Sequence, residues 1–148
     1  MSFRFPLAPL LRLRQSLERQ RAMRVREAGL AVARANEALS RTDRRIADAI
    51  QSDEASLRVG RSAAELQFAL ISRANTLLAR QNLQAELRRL ELERQQAAAA
   101  YHHAYREREV LETLALQQRH IYHREQQQHE QRELDASHLL LLWRKRAD

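Results

Sequence analysis

Several things are missing from this chain of 148 residues, and each absence excludes something. There is no cysteine, so disulfides and thiolate metal sites are excluded; the absence fits a reducing compartment only weakly. No proline follows Pro9, and Gly29 and Gly60 are the only glycines, which leaves few places where a helix must stop. Aromatic residues make up 5%, too few to fill a layered core. No apolar run approaches the roughly 18–20 residues needed to cross a bilayer. Gly-rich phosphate loops, nucleophile elbows and Ser-His-Asp or Cys-His arrangements are also absent, so the sequence offers no route to catalysis.

What remains is Ala, Leu, Arg, Gln and Glu, all strong helix formers, with 30% charged residues. Apolar residues recur every three or four positions. Val25, Val32, Leu39 and Ile46 are seven apart, and Ala28, Ala35, Thr42 and Ala49 interleave with them. One column is large or β-branched and the other small, which lets a partner helix approach closely. Gly29 lies beside this seam as a tolerated weakness. Further on, Leu83, Leu90, Ala97, Ala104 and Leu111 form a second seven-residue column. Leu87, Tyr101, Ala115 and Tyr122 share its companion, interrupted by Arg94 and Arg108. Glu37–Arg41, Arg89–Glu93 and Arg108–Glu112 read as exposed i,i+4 pairs, each adding about 0.2–0.5 kcal/mol.

Phe3, Phe5 and Pro6 read as an extended lead-in, with Pro9 well placed in a first helical turn. The break comes at Leu57 to Ser62. Gly60 can take the left-handed conformation that ends a helix, and Ser62 with Glu65 writes a capping box that starts the next. The expected architecture is all-α: a long antiparallel two-helix coiled-coil hairpin with a C-terminal helical overhang. It is read as one domain over 1–148, with helix 1 about 9–57, a turn about 58–62 and helix 2 about 63–145. Folding about Gly60 sets Leu10 opposite Val110 and Leu111, and Val32 opposite the region of Arg88. The overhang then begins near 115 and carries Ile121, Tyr122, Leu134, Leu139 to Leu142 and Trp143. A lone helix is marginal in water, so this tail argues for a partner.

The formal net charge is +7, and Lys145 is the only lysine. Residues 1–26 hold seven arginines against Glu18 alone, while the rest is near balance. A basic end on a near-neutral rod suggests one acidic docking surface, whereas a nucleic-acid wrapper should be basic along its length. The Arg-rich, acid-poor start imitates an organellar transit peptide. With the helical pattern continuing past it, it reads as a mature cytosolic start. Six histidines invite a metal reading, and His120 and His123 share a helix face, but no third ligand stands at suitable spacing. Neither a metal nor a cofactor is expected. The ending Leu139 to Arg146 reads as an in-plane membrane anchor or as a plug for a protein socket. Four consecutive leucines cover every side of a helix, which favours the socket.

These features together resemble the FliJ family of flagellar type III export proteins. The opening Phe3-Arg4-Phe5-Pro6-Leu7 through Leu10-Leu11-Arg12-Leu13-Arg14 resembles that family's start. Ala64-Glu65-Leu66, with Arg124-Glu125-Gln126 to Glu133-Leu134-Asp135, resembles its C-terminal half. The Leu139–Trp143 cluster departs from it. The resemblance implies a non-enzymatic, cytoplasmic stalk-like coiled coil, peripherally associated with the inner membrane at the flagellar base. Its implied partners are a hexameric export ATPase, the cytoplasmic domain of the export gate protein, and export chaperones, with no nucleic acid and no small-molecule substrate. The ATPase end falls on Leu10, Leu11, Arg12, Arg14, Leu17, Leu139, Leu142 and Trp143, and the gate surface on Leu66, Leu70, Ala74, Leu77 and Gln81. Alternatives are the stalk of a virulence-type secretion system, a basic nucleic-acid-binding coiled coil, and a homomeric coiled coil.

Overall fold

The structure, a computed structural model, describes residues 3–147, with side chains described as far as Arg144. Lys145 and Arg146, part of the basic ending read above, have side chains outside the described residues. The chain is all-α: α1 spans Ala8–Leu57 and α2 spans Ala63–Ala147. The two pack against each other as a hairpin, and α2 is the longer. Two compact units are present, one made of Arg19–His102 and the other of the two terminal segments, up to Glu18 and from His103.

In the unit Arg19–His102 the seam is thin. Val32 and Ala35 are buried, while Val25, Ala28, Leu39, Thr42 and Ile46 are half-buried around them. Ala49, expected in the same column, is exposed. On α2, Leu83, Leu87, Leu90, Ala97 and Tyr101 are half-buried and Arg94 is exposed. Ion pairs across the seam then set the register. Arg80 Nε lies 2.6 Å from Asp43 Oδ1, and Arg73 reaches Asp53 at 3.1 Å. A fold centred on Gly60 would have put Asp43 opposite Leu77 and Asp53 opposite Gln67. The actual partners lie one to two turns further along α2, an offset that long arginine side chains reaching along the helix can span.

That turn is built as its residue types require. Gly60 has φ +95°, and its N–H donates to the Ser56 carbonyl at 3.2 Å, closing the end of α1. Across the break, the Ser62 N–H donates to Glu65 Oε2 at 2.8 Å, while the Glu65 N–H donates to Ser62 Oγ at 3.3 Å. Both halves of the capping box are therefore made. The two hydrogen bonds from Ser62, backbone first, hold the Glu65 carboxyl below its ordinary pKa.

In the terminal unit Ala104 is buried, and Leu111 and Ala115 are half-buried. The lead-in has no regular structure from Phe3 to Phe5 and turns at Pro6 and Leu7, where the Ala8 N–H donates to the Phe5 carbonyl at 3.2 Å. It also reaches further than expected. The Phe3 ring meets the Tyr122 ring at 5.6 Å, where a fold about Gly60 would have placed Gln117. Phe3, Arg4 and Pro6 line a shallow groove together with Gln118, Ile121, Tyr122 and Glu125. The continuously exposed tail thus begins at His123, not near 115, because the Phe3–Tyr122 contact carries the packing beyond Leu10. Every described side chain from His123 to Arg144 is exposed.

Candidate functional site

Two surfaces gather the residues that the sequence singled out. The first lies in the terminal unit. Leu11 lines an apolar groove with Phe3, Phe5, Ala8, Ala115 and Leu116, and Leu10 beside it is exposed. Arg12 is exposed, Leu17 is half-buried, and Arg14 is held by Glu107 at 2.5 Å. Arg14 therefore fastens the hairpin as well as carrying charge. Leu139, Leu142 and Trp143 are exposed, Trp143 by 80%.

The fold does not bring these two groups together. Leu11 packs beside Leu116, and Leu139 lies 23 residues further along α2. At 1.5 Å per residue that separation is roughly 35 Å. The interval from His123 to Glu133 has no apolar residue on any face. It acts as a polar spacer, holding the leucine-tryptophan cluster clear of the hairpin seam.

One polar layer crosses the seam in this unit. Arg108, expected on an exposed face with Glu112, is instead largely enclosed, with its side chain 18% exposed. Its Nε sits 2.5 Å from Glu18 Oε2 without the alignment of a hydrogen bond, so that contact is charge pairing. The guanidinium also pairs with Glu112 and lies 4.9 Å from the centre of the Tyr105 ring. Gln15 donates to Glu112 at 3.3 Å from the other helix. The hydrogen bond from Arg108 holds the Glu112 carboxyl below its usual range, opposed by burial and assisted by Gln15. An arginine that interrupts an apolar column thus becomes a register pin when an acid waits on the facing helix.

The second surface is the turn end of the other unit. Asp53 binds Arg61 at 2.8 Å through one oxygen and Arg73 through the other, clasping α1, the turn and α2. Apolar grooves lie beside this clasp. One is lined by Ile46, Ala49, Ala64 and Phe68, the other by Ile50, Leu57, Leu66 and Leu70. Leu66 and Leu70 are therefore brought together, while Ala74, Leu77 and Gln81 are exposed further along α2. Sequence reading missed Phe68, which is 74% exposed, and Val59, exposed by 88%. A signal existed for the first: Phe68 is the only aromatic between Phe5 and Tyr101. Such a residue on a helix with a thin seam is conspicuous.

Neither surface has the character of a reaction centre. Both grooves at the turn end are open and share only the Asp53 clasp as charged lining common to the two. Among the described residues no cluster of three or more His, Cys, Asp or Glu could hold a metal ion. No helix among them is long and apolar enough to cross a membrane. The arrangement suits contact with other proteins: apolar patches on a helical scaffold, with arginines beside them.

No curated protein and no solved structure matches the chain. A family model described as "Flagellar FliJ protein" does match, over residues 3–147. That span takes in the lead-in, the whole hairpin and the exposed tail, so the chain belongs to the FliJ family, a non-catalytic component of the flagellar export apparatus.

Proposed function

We propose that this protein is a stalk-like coiled coil that docks into the hexameric export ATPase, links it to the cytoplasmic domain of the export gate protein and cycles export chaperones. The observation that carries this reading is the tail. From His123 to Arg144 a helix is exposed on all sides and ends in Leu139–Trp143. An isolated helix with an apolar collar is poorly supported in water and well supported inside an enclosing protein. A ring bore offers apolar contact on every side, which suits four consecutive leucines. Arg4 and Arg12, exposed at the start of the chain, suit an acidic lining of the same bore.

The stalk acts by position. It brings no catalytic group, so it changes ATPase turnover only by binding some subunit arrangements better than others. The apolar turn end, with Leu66, Leu70, Ala74, Leu77 and Gln81 and the newly seen Phe68, is the surface we assign to the gate. Such a component works on the cytoplasmic side, peripheral to the inner membrane at the flagellar base.

The test is ATPase turnover and hexamer assembly of the cognate export ATPase with and without the purified chain. Stimulation is expected, and Leu139→Asp with Trp143→Ala should weaken it several-fold. If the intact chain changes neither turnover nor assembly, the docking reading is wrong.

A further inference from the structure

One exposed face of α1 is used neither by the hairpin seam nor by the surfaces above. Arg19, Met23, Arg26 and Leu30 follow one another at i, i+4, i+7 and i+11, which stacks them in a single line along the helix. All four are exposed, Met23 by 59% and Leu30 by 52%. The seam residues of the same stretch, Val25, Ala28, Val32 and Ala35, point elsewhere and are half-buried or buried. The line is therefore not needed to hold α1 against α2. Residues 19–26 contain four arginines and no acid, and among the described residues none of the four has an ion-pair partner.

We propose that Arg19, Met23, Arg26 and Leu30 form a docking stripe for an acidic amphipathic helix of a partner protein. Two guanidinium groups seven residues apart match carboxylates repeating at the same interval on a helix lying alongside. Met23 and Leu30 fall between and beyond them, where such a helix presents its apolar residues. Methionine is also adaptable, which suits a surface that receives a partner transiently. The stripe is about 16 Å long, three turns of a partner helix. A nucleic acid would have no use for Met23 and Leu30, and no exposed aromatic in the stripe offers a base a stacking surface. A lipid surface would gain little from two apolar side chains on a helix already packed into a hairpin.

The test uses the full chain and a designed probe, a 28-residue acetylated helix with Leu at a and d and Glu at e and g. A control probe carries Lys at e and g. Binding is followed by fluorescence anisotropy at low and high salt. The acidic probe should bind and the lysine probe should not. Arg19→Gln with Arg26→Gln should weaken binding about tenfold and flatten its salt dependence. Met23→Gln with Leu30→Gln should weaken it comparably and leave the salt dependence in place. Arg21→Gln with Arg24→Gln removes equal charge from other faces and should have a smaller effect. Circular dichroism should report unchanged helicity and unfolding for all three variants.

Equal loss in the Arg21/Arg24 variant, or no loss in the stripe variants, overturns the proposal. So does tighter stripe-dependent binding to duplex DNA or to phosphatidylglycerol vesicles. Leu139→Asp with Trp143→Ala should leave probe binding intact, so failure of the stripe and failure of ATPase docking are separable.

Discussion

At the scale of single residues, backbone conformation and charge placement matter more than volume, because so little is buried. Gly60 has nothing within 4 Å of the position a Cβ would take, yet its φ is +95°. The cost of a side chain there is conformational rather than steric. Gly60→Ala should therefore lower stability by about 1–2 kcal/mol, read as a lower midpoint in thermal or urea unfolding. Gly29 is the opposite case: it is mid-helix, with equally open surroundings and an ordinary helical conformation. Gly29→Ala should raise stability by about 0.5–1 kcal/mol in the same measurement. Arg108 was visible in the sequence as an interruption of a column. Its partner Glu18, 90 residues away, was not. Arg108→Met should leave Glu18 facing Glu112 and Gln15 without a cation. Unfolding should then occur at lower temperature than for Arg108→Lys, which keeps the charge.

At the scale of elements, the helix start at Ser62 is the clearest device. Ser62→Ala removes the acceptor for the Glu65 N–H and should cost about 1 kcal/mol in the unfolding midpoint. Three carboxyls are depressed below their ordinary values. Glu65 is held by Ser62, Glu86 by Arg89, and Glu112 by Arg108, each chiefly through a hydrogen bond. A carboxyl whose pKa is lower folded than unfolded stabilises the fold at any pH above its unfolded value. That contribution fades as pH falls through the folded value. Their contribution should thus be constant from neutrality down to about pH 5 and fade progressively at lower pH. Glu65→Gln should remove part of that acid dependence, seen in helicity followed against pH. Element boundaries were legible because Gly60, Ser62 and Glu65 act locally. Register was not, since it depends on which arginine reaches which acid: Arg80 with Asp43, Arg73 with Asp53.

At the scale of the whole molecule, heptad columns, a break and a missing seam partner for the tail already pointed to a helical protein that works by contact. The FliJ family model over residues 3–147 agrees with that reading. Cross-linking can check the pairing directly, because the chain has no cysteine to interfere. Asp43→Cys with Arg80→Cys should be joined within one molecule by a short bifunctional reagent, at concentrations where copies do not meet. Cross-links found only between copies would show the homomeric coiled coil instead.

Sequence alone determined the two helices, the place where the chain reverses and the apolar end of the tail. All three rest on residue types acting on near neighbours: seven-residue spacing, a left-handed glycine, and a serine three residues before a glutamate. Tertiary structure decided where packing stops, how far Leu11 stands from Leu139, and which exposed residues share a surface. Those depend on contacts between residues distant in the chain. Phe3 reaching Tyr122 and Glu18 reaching Arg108 are chosen by side-chain length and charge after the chain has folded back, and no local pattern records the choice.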